Sequence, residues 1–191
     1  MSDVAPTRGM TASEYLAWER HQVDKHEFHF GEIFAMAGGS PRHNFLASAI
    51  GGELRNALRT SGCRVFSSDQ RIGAGGGKRY VYPDAVVVCG AIQLEEGAAD
   101  VLANPSIVVE VLSPATESYD RGEKWAAYQR IPSLTDYVLV AQDRKRVEHY
   151  RRDTGETWQY RELGEGEILS LGDATLAIDA IYDDAFDLAH D

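Results

Sequence analysis

No stretch of this sequence approaches the ~20 consecutive apolar residues that would cross a bilayer. The first residues, Met1-Ser-Asp-Val-Ala-Pro-Thr-Arg, have no apolar core of the signal-peptide kind, so the expected location is the cytoplasm, with no membrane partner. Cysteine is scarce. Cys63 and Cys89 lack metal-type spacing, and two thiols cannot build the framework of a small disulfide scaffold. They are expected as small buried hydrophobes in strands. Internal repeats and low-complexity linkers are missing. So is any excess of positive charge: 19 Lys and Arg stand against 30 Asp and Glu, a formal net charge of -11. Such a field repels polyanions at long range and excludes a generic DNA-coating protein. A nucleic-acid substrate would need local bases or bound divalent cations.

What is present is an ordinary globular composition, 43% hydrophobic and 26% charged over 191 residues. That length suits one domain with a proper core. The expected limits are a loose arm over 1–10, a domain over 11–184 and an acidic tail over 185–191.

Thr11-Ala-Ser-Glu14 is a capping-box pattern that opens a short helix over about 11–20. Residues 26–36 alternate around Gly31 as a strand pair. Leu46, Ile50, Leu54 and Leu58 fall at steps of four and predict a helix over about 42–60. Cys63 to Ile72 reads as one strand, Gly73 to Lys78 as a loop, and Tyr80 to Cys89 and Ile107 to Leu112 as apolar strands. The acidic segment between the last two, about 91–104, reads as helix or loop. A second amphipathic helix is expected over 119–130. Strands follow at 136–141, 146–151, 157–163 and 174–178. The result is an α+β domain on a mixed sheet.

Two motif-like segments fail on spacing. Gly73-Ala-Gly-Gly-Gly-Lys-Arg79 has Ile72 and Arg79 where a phosphate-binding loop requires Gly and Ser or Thr. His26-Glu-Phe-His29 is one residue short of the zinc pattern HExxH and lies in a strand rather than a helix. Residues 144–152 gather five bases, which is either a phosphate-binding stripe or a solvated strand face.

Two acids stand out against their surroundings. Glu110 occupies the middle of Ile107-Val-Val-Glu-Val-Leu112, which otherwise reads as a fully buried strand. A lone buried carboxylate costs several kcal/mol unless a cation or hydrogen bonds satisfy it. Asp84 heads a similar run, Ala85 to Cys89, just after Pro83. Two acids on neighbouring strands suit a hard cation such as Mg²⁺. They equally suit a turn aspartate beside a glutamate paired to a buried base. Downstream, Asp120, Lys124 and Tyr128 share a helix face at steps of four. Lys124 there is either a surface partner of Asp120 or a cation drawn to the sheet, where it could stabilise developing negative charge.

Taken in order, Tyr82-Pro-Asp84-Ala-Val-Val-Val, Val108-Val-Glu110-Val-Leu-Ser-Pro-Ala-Thr116, Asp120, Lys124 and Tyr128 resemble the Uma-type family of putative restriction endonucleases, within the PD-(D/E)XK nuclease superfamily. Gly31-Glu32-Ile-Phe-Ala-Met36 and His43 at a helix start belong to the same resemblance, which spans Thr11 to Asp184. It implies a restriction-endonuclease-like core, a mixed central sheet flanked by helices. Mg²⁺, replaceable by Mn²⁺, would be held by Asp84, Glu110 and the main-chain carbonyl of Val111. Water would then attack a phosphodiester, in DNA rather than RNA, in a homodimer able to cut both strands. The superfamily lysine expected two residues after the acid falls on Leu112, which turns attention to Lys124. Glu32 is a further metal ligand or a turn residue. His43 is a capping or core histidine, or a phosphate contact. Gln70 is either a cleft residue or a solvent-facing one.

The rival to a metal-dependent endonuclease is a catalytically degenerate relative that binds nucleic acid or protein. A glycosidase built on Asp84 and Glu110 would lack an aromatic sugar platform and would leave Lys124 without a role.

Overall fold

The structure is a computed structural model that describes residues 9–189. Most of the expected arm over 1–10, and the last two residues of the expected acidic tail, lie outside these residues. Helix α1 (Ala12–Glu19) opens on the capping box read from sequence: the Glu14 amide donates to Thr11 Oγ1, and the Thr11 amide donates to Glu14 Oε2 at 2.8 Å. Strands β1 (His26–His29) and β2 (Glu32–Ala35) form a hairpin. Its two-residue turn, Phe30-Gly31, has positive φ at both positions, the geometry that matches strand twist. Helix α2 (Pro41–Ala57) starts on a Ser40 cap with Pro41 in its first turn, and Leu46, Ile50 and Leu54 form its buried stripe.

The run expected as one strand over 63–72 is two, β3 (Cys63–Ser67) and β4 (Arg71–Ala74). Likewise Tyr80 to Cys89 divides into β5 (Arg79–Val81) and β6 (Ala85–Cys89), with Tyr82-Pro83-Asp84 between them. The acidic segment is mostly loop and carries only β7 (Val101–Leu102). After β8 (Ile107–Val111) come α3 (Glu117–Tyr119), one π turn (Asp120–Lys124) and α4 (Trp125–Tyr128) as a continuous helical arm. The chain ends with β9 (Asp136–Val140), β10 (Val147–Arg152), β11 (Trp158–Leu163), the hairpin β12 (Ile168–Leu171) and β13 (Ala174–Ala177), and α5 (Ile178–Tyr182).

These strands make two large mixed sheets where one was expected. One has the order β2-β1-β5-β4-β7 and the other β11-β10-β9-β8-β6-β3, with β12-β13 as a separate pair. The breaks at 68–70 and 82–84 are the points where the chain passes from one sheet to the other. At 82–84 apolar continuity hides the crossing, because the strands on both sides of it are largely buried; at 68–70 the chain is polar, Ser68-Asp69-Gln70.

In the six-stranded sheet β8 pairs parallel with β9 and antiparallel with β6. One face packs on α2, α5 and the β12–β13 hairpin through Val109, Val138, Ile50 and Leu176. The other packs on α4 through Val108, Leu139, Tyr128 and Tyr137. Burial on both faces explains why β8 reads as an unbroken apolar run. The reading of the cysteines needs correction. Cys63 and Cys89 lie directly opposite each other in the β3–β6 ladder and are joined as a disulfide, with Cys89 exposed. Register, not spacing along the chain, brings them together.

Candidate active site

The β6–β8 register pairs Ala85 with Val109, so one further step sets Asp84 across from Glu110. The two acids therefore meet where the chain enters the six-stranded sheet. Asp84 is fixed by the Val111 amide, which donates to Oδ2 at 2.7 Å, and its Oδ1 lies 3.1 Å from His43 Nε2. His43 reaches this point because the Ser40 cap aims the first turn of α2 at the strand ends. Gln142 backs it: its amide donates to the Leu112 carbonyl at 2.7 Å and lies beside His43 Nδ1, while Ser40 Oγ donates to Gln142 Oε1.

Glu110 is 4% exposed. Its Oε1 accepts from Lys124 Nζ at 3.0 Å and from the Tyr128 hydroxyl at 2.7 Å. Asp120, Lys124 and Tyr128 thus bring their shared face onto β8, even though a π turn carries the first two. Lys124 Nζ also lies 3.3 Å from Glu27 Oε1 and 3.4 Å from Asp120 Oδ1. Glu27 comes from β1 in the other sheet. There Oε1 accepts the Tyr82 amide, and Oε2 lies 3.3 Å from His29 Nε2.

Three carboxylates therefore converge on one ammonium, with Asp84 across from the central one. Burial, reinforced by Asp120, Asp84 and Glu27, pushes Glu110 well above the usual carboxylate range despite Lys124. Asp120 is also raised, by burial first. Burial opposes ionised Glu27, but Lys124, His29 and the Tyr82 amide outweigh it and hold that acid low. Burial likewise opposes charged Lys124, and Glu110, Glu27 and Asp120 together lift it well above an ordinary lysine. Lys124 is therefore a fixed cation.

Among the described residues, no three His, Cys, Asp or Glu side chains form a group able to hold a metal ion. A cation of the Mg²⁺ type does not require three, because it commonly takes one or two carboxylates and keeps several waters. The donors fit that pattern. All are hard oxygens, acids outnumber bases, and Asp120 Oδ1, buried, has the Lys124 ammonium 3.4 Å away but no hydrogen bond among the described residues. These groups open into a cleft of about 750 Å³, also lined by Val111, Ser113, Thr116 and residues 34–39.

A family model described as "Uma2: Putative restriction endonuclease" matches residues 12–180. The chain belongs to the Uma2 family. Two Synechocystis relatives carry the names uncharacterized protein slr1290 and uncharacterized protein sll1609. The first is 34% identical over 184 residues, covering 95% of each chain. The second is 34% identical over 163 residues, covering 85% of this chain and 92% of its own. A crystal structure from Anabaena variabilis, titled as a putative nuclease belonging to DUF820, superposes with a TM-score of 0.73 at 18% identity. It covers 91% of this chain and 98% of that one, and it supports the fold.

Not every residue singled out from this Uma2 sequence reaches the cleft. Asp84, Glu110, Val111, Lys124, Asp120 and His43 line it together. Glu32 opens β2 opposite His29 but is exposed and outside the lining. The Gln70 amide donates to the carbonyls of Arg71 and Asp100, also away from the cleft. The basic run does not form a phosphate stripe at the cleft: its bases are half-buried or exposed and mostly ion-paired, Arg144 with the neighbouring Asp143. Lys145 pairs with Glu165 and Asp179, Arg146 with Glu148 and Glu162, and Arg151 with Asp136, while Arg152 donates to the carbonyls of Gln129, Ile131 and Leu134. None of these bases lines the cleft. Sequence reading passed over Glu27, His29 and Tyr119. The signal for the first two lay in the discarded zinc-like segment, where period-two geometry sets Glu27 and His29 on one face and Phe28 on the other.

Proposed function

We propose that this Uma2 chain is a Mg²⁺-dependent phosphodiester hydrolase, a DNA endonuclease, that acts through Asp84, Glu110 and Lys124. The observation that carries the reading is the contact of Lys124 with Glu110. The cation missing from position 112 is supplied by the helical arm and reaches the same acid. Asp84, Glu110 and the Val111 carbonyl are the groups that would hold the metal, with Mn²⁺ able to replace Mg²⁺. Such an ion supplies charge neutralisation at a phosphate and a more acidic attacking water. The chain's own groups do the rest. Lys124, held protonated, donates to a phosphate oxygen as negative charge develops. Glu110 and Lys124, already in contact, together orient the attacking water from one side. Asp120 and Glu27 position the Lys124 ammonium, and His43 positions the Asp84 carboxylate. Catalysis within the cytoplasm, and a second copy of the chain wherever both strands of a duplex are cut, accompany this reading.

The test is cleavage of plasmid and oligonucleotide DNA in Mg²⁺ by wild type, Asp84→Ala, Glu110→Ala and Lys124→Met. Each variant should lose activity by at least about a hundredfold while keeping its far-UV spectrum. Glu110→Gln removes one of four crowded acids, so in EDTA it should melt no lower than wild type even though it is inactive. Full cleavage by both acid-to-alanine variants would sink the reading. Metal-indifferent binding without turnover would support the degenerate-relative alternative.

A further inference from the structure

The cleft has a wall chemistry that the hydrolytic groups do not use. Among the described residues that line it, Lys124 is the sole Lys or Arg, against the acids Glu27, Asp84, Glu110, Asp120 and Glu123. Its ammonium is already engaged by three carboxylates. Part of the lining is apolar: Phe34, Ala35, Met36 and Ala37 from one segment, Pro114 and Ala115 from another. From the mouth inward runs an aromatic ladder. The Phe34 ring, 47% exposed, lies 5.0 Å from the His29 ring, and His29 lies 5.1 Å from Tyr119 in near-parallel stacking. Lys124 Nζ sits 5.6 Å over the Tyr119 ring, so the ladder ends at the carboxylates.

An intact duplex is gripped through its phosphates, by a set of Lys and Arg side chains that replace condensed counterions. This cleft offers no such set, the basic run 144–152 is paired elsewhere, and the net charge is -11. An unpaired strand is different, because each exposed base has a π face that stacks on an aromatic side chain whatever its sequence. The volume of about 750 Å³ falls within the range of ligand pockets that close around a small molecule, which suits individual nucleotides. We propose that the cleft takes an unpaired nucleic-acid strand, with a base stacked on Phe34 at the mouth of the His29–Tyr119 ladder, and not the backbone of an intact duplex. The inference rests on the nucleic-acid reading of the cleft above and narrows its substrate.

The experiment compares wild type, Phe34→Ala and Phe34→Trp on an end-labelled strand of about 20 nucleotides, alone and annealed to its complement, in Mg²⁺. Phe34 is exposed at a sheet edge, so both variants should fold as wild type does. Wild type should cut the single strand at least about tenfold more efficiently than the duplex. Phe34→Ala should raise KM for the strand about tenfold with kcat nearly unchanged, and Phe34→Trp should restore it. A readout independent of cleavage is the fluorescence of Phe34→Trp, over the wild-type background, titrated in EDTA with oligodeoxythymidylate and oligouridylate. Quenching by either supports the inference. Quenching with no cleavage of any nucleic acid also supports it but overturns the hydrolase reading. Equal or faster cleavage of the duplex, or an unchanged KM in Phe34→Ala, overturns the inference and leaves the hydrolase reading in place. No quenching and no cleavage overturn both.

Discussion

Asp136 is 1% exposed, and its carboxylate receives His149 Nε2 at 2.8 Å, Arg151 Nε at 3.0 Å and the Thr135 hydroxyl at 2.8 Å. Burial alone would raise its pKa, but these three partners hold it below the ordinary aspartate value. The unfolded chain therefore takes up the proton first. The stabilisation is complete above the ordinary aspartate range and is lost as pH falls through the depressed native value. Asp136→Asn should lower stability at neutral pH by less than the ~3–5 kcal/mol of a broken, fully buried pair, since Arg151 keeps 40% exposure. The loss should shrink in acid, and urea titrations at neutral and acidic pH check both points. At this scale the sequence was legible where a charge broke an apolar pattern. Glu110 and Asp84 each interrupt or head a valine-rich run, and a buried acid there demands a partner. Glu27 carries the same signal in a shorter strand, but comparison with a zinc pattern that failed on spacing drew attention away from it. His149 and Asp136 lie on different strands, and only the β9–β10 register brings them within reach.

The helical arm from Glu117 to Tyr128 gains its bearing on the cleft from the π turn at Asp120–Lys124, a local widening often found at functional sites. Deleting Gly122 would return the arm to α geometry and rotate the residues before it by about 100° relative to α4. Lys124 and Tyr128 would stay against Glu110, while Asp120 and Tyr119 would swing out of the cleft. The deletion variant should keep a cooperative melt and lose on the order of a hundredfold in cleavage, the scale of a small misplacement in an oriented site. Circular dichroism beside a cleavage assay reads both. The turn could not be read from sequence, because Asp120, Lys124 and Tyr128 at steps of four satisfy an α-helix equally well. Helix α2 was legible because its stripe of Leu46, Ile50 and Leu54 has one period and one buried face. Strand boundaries were less so: Tyr80 to Cys89 stays largely apolar across a change of sheet, and the polar Ser68-Asp69-Gln70 is too short an interruption to mark one by itself.

The whole molecule sets its charge against the proposed substrate. With a net charge of -11 and one lysine at the carboxylates, few counterions would be released by a nucleic-acid strand entering the cleft. Binding measured in EDTA between about 50 and 200 mM salt should weaken by less than about tenfold, whereas six to ten phosphate contacts would cost ~10³–10⁵ over that interval. Fluorescence anisotropy at several salt concentrations gives the slope. The charge was plain from composition, but the fate of the basic run was not, since its partners Glu165 and Asp179 lie on later segments. The two sheets have one further consequence. Between residues 63 and 111 successive strands alternate between them: β3 in one, β4 and β5 in the other, β6 back in the first, β7 in the second, β8 in the first. No cut between residues 67 and 101 yields a fragment holding either sheet complete, and the acids Glu27 and Glu110, one from each sheet, meet only when both are assembled. The chain cannot be divided into a folding module and a chemical module, so recombination that trades half of this stretch for a relative's would have to carry both sheets together.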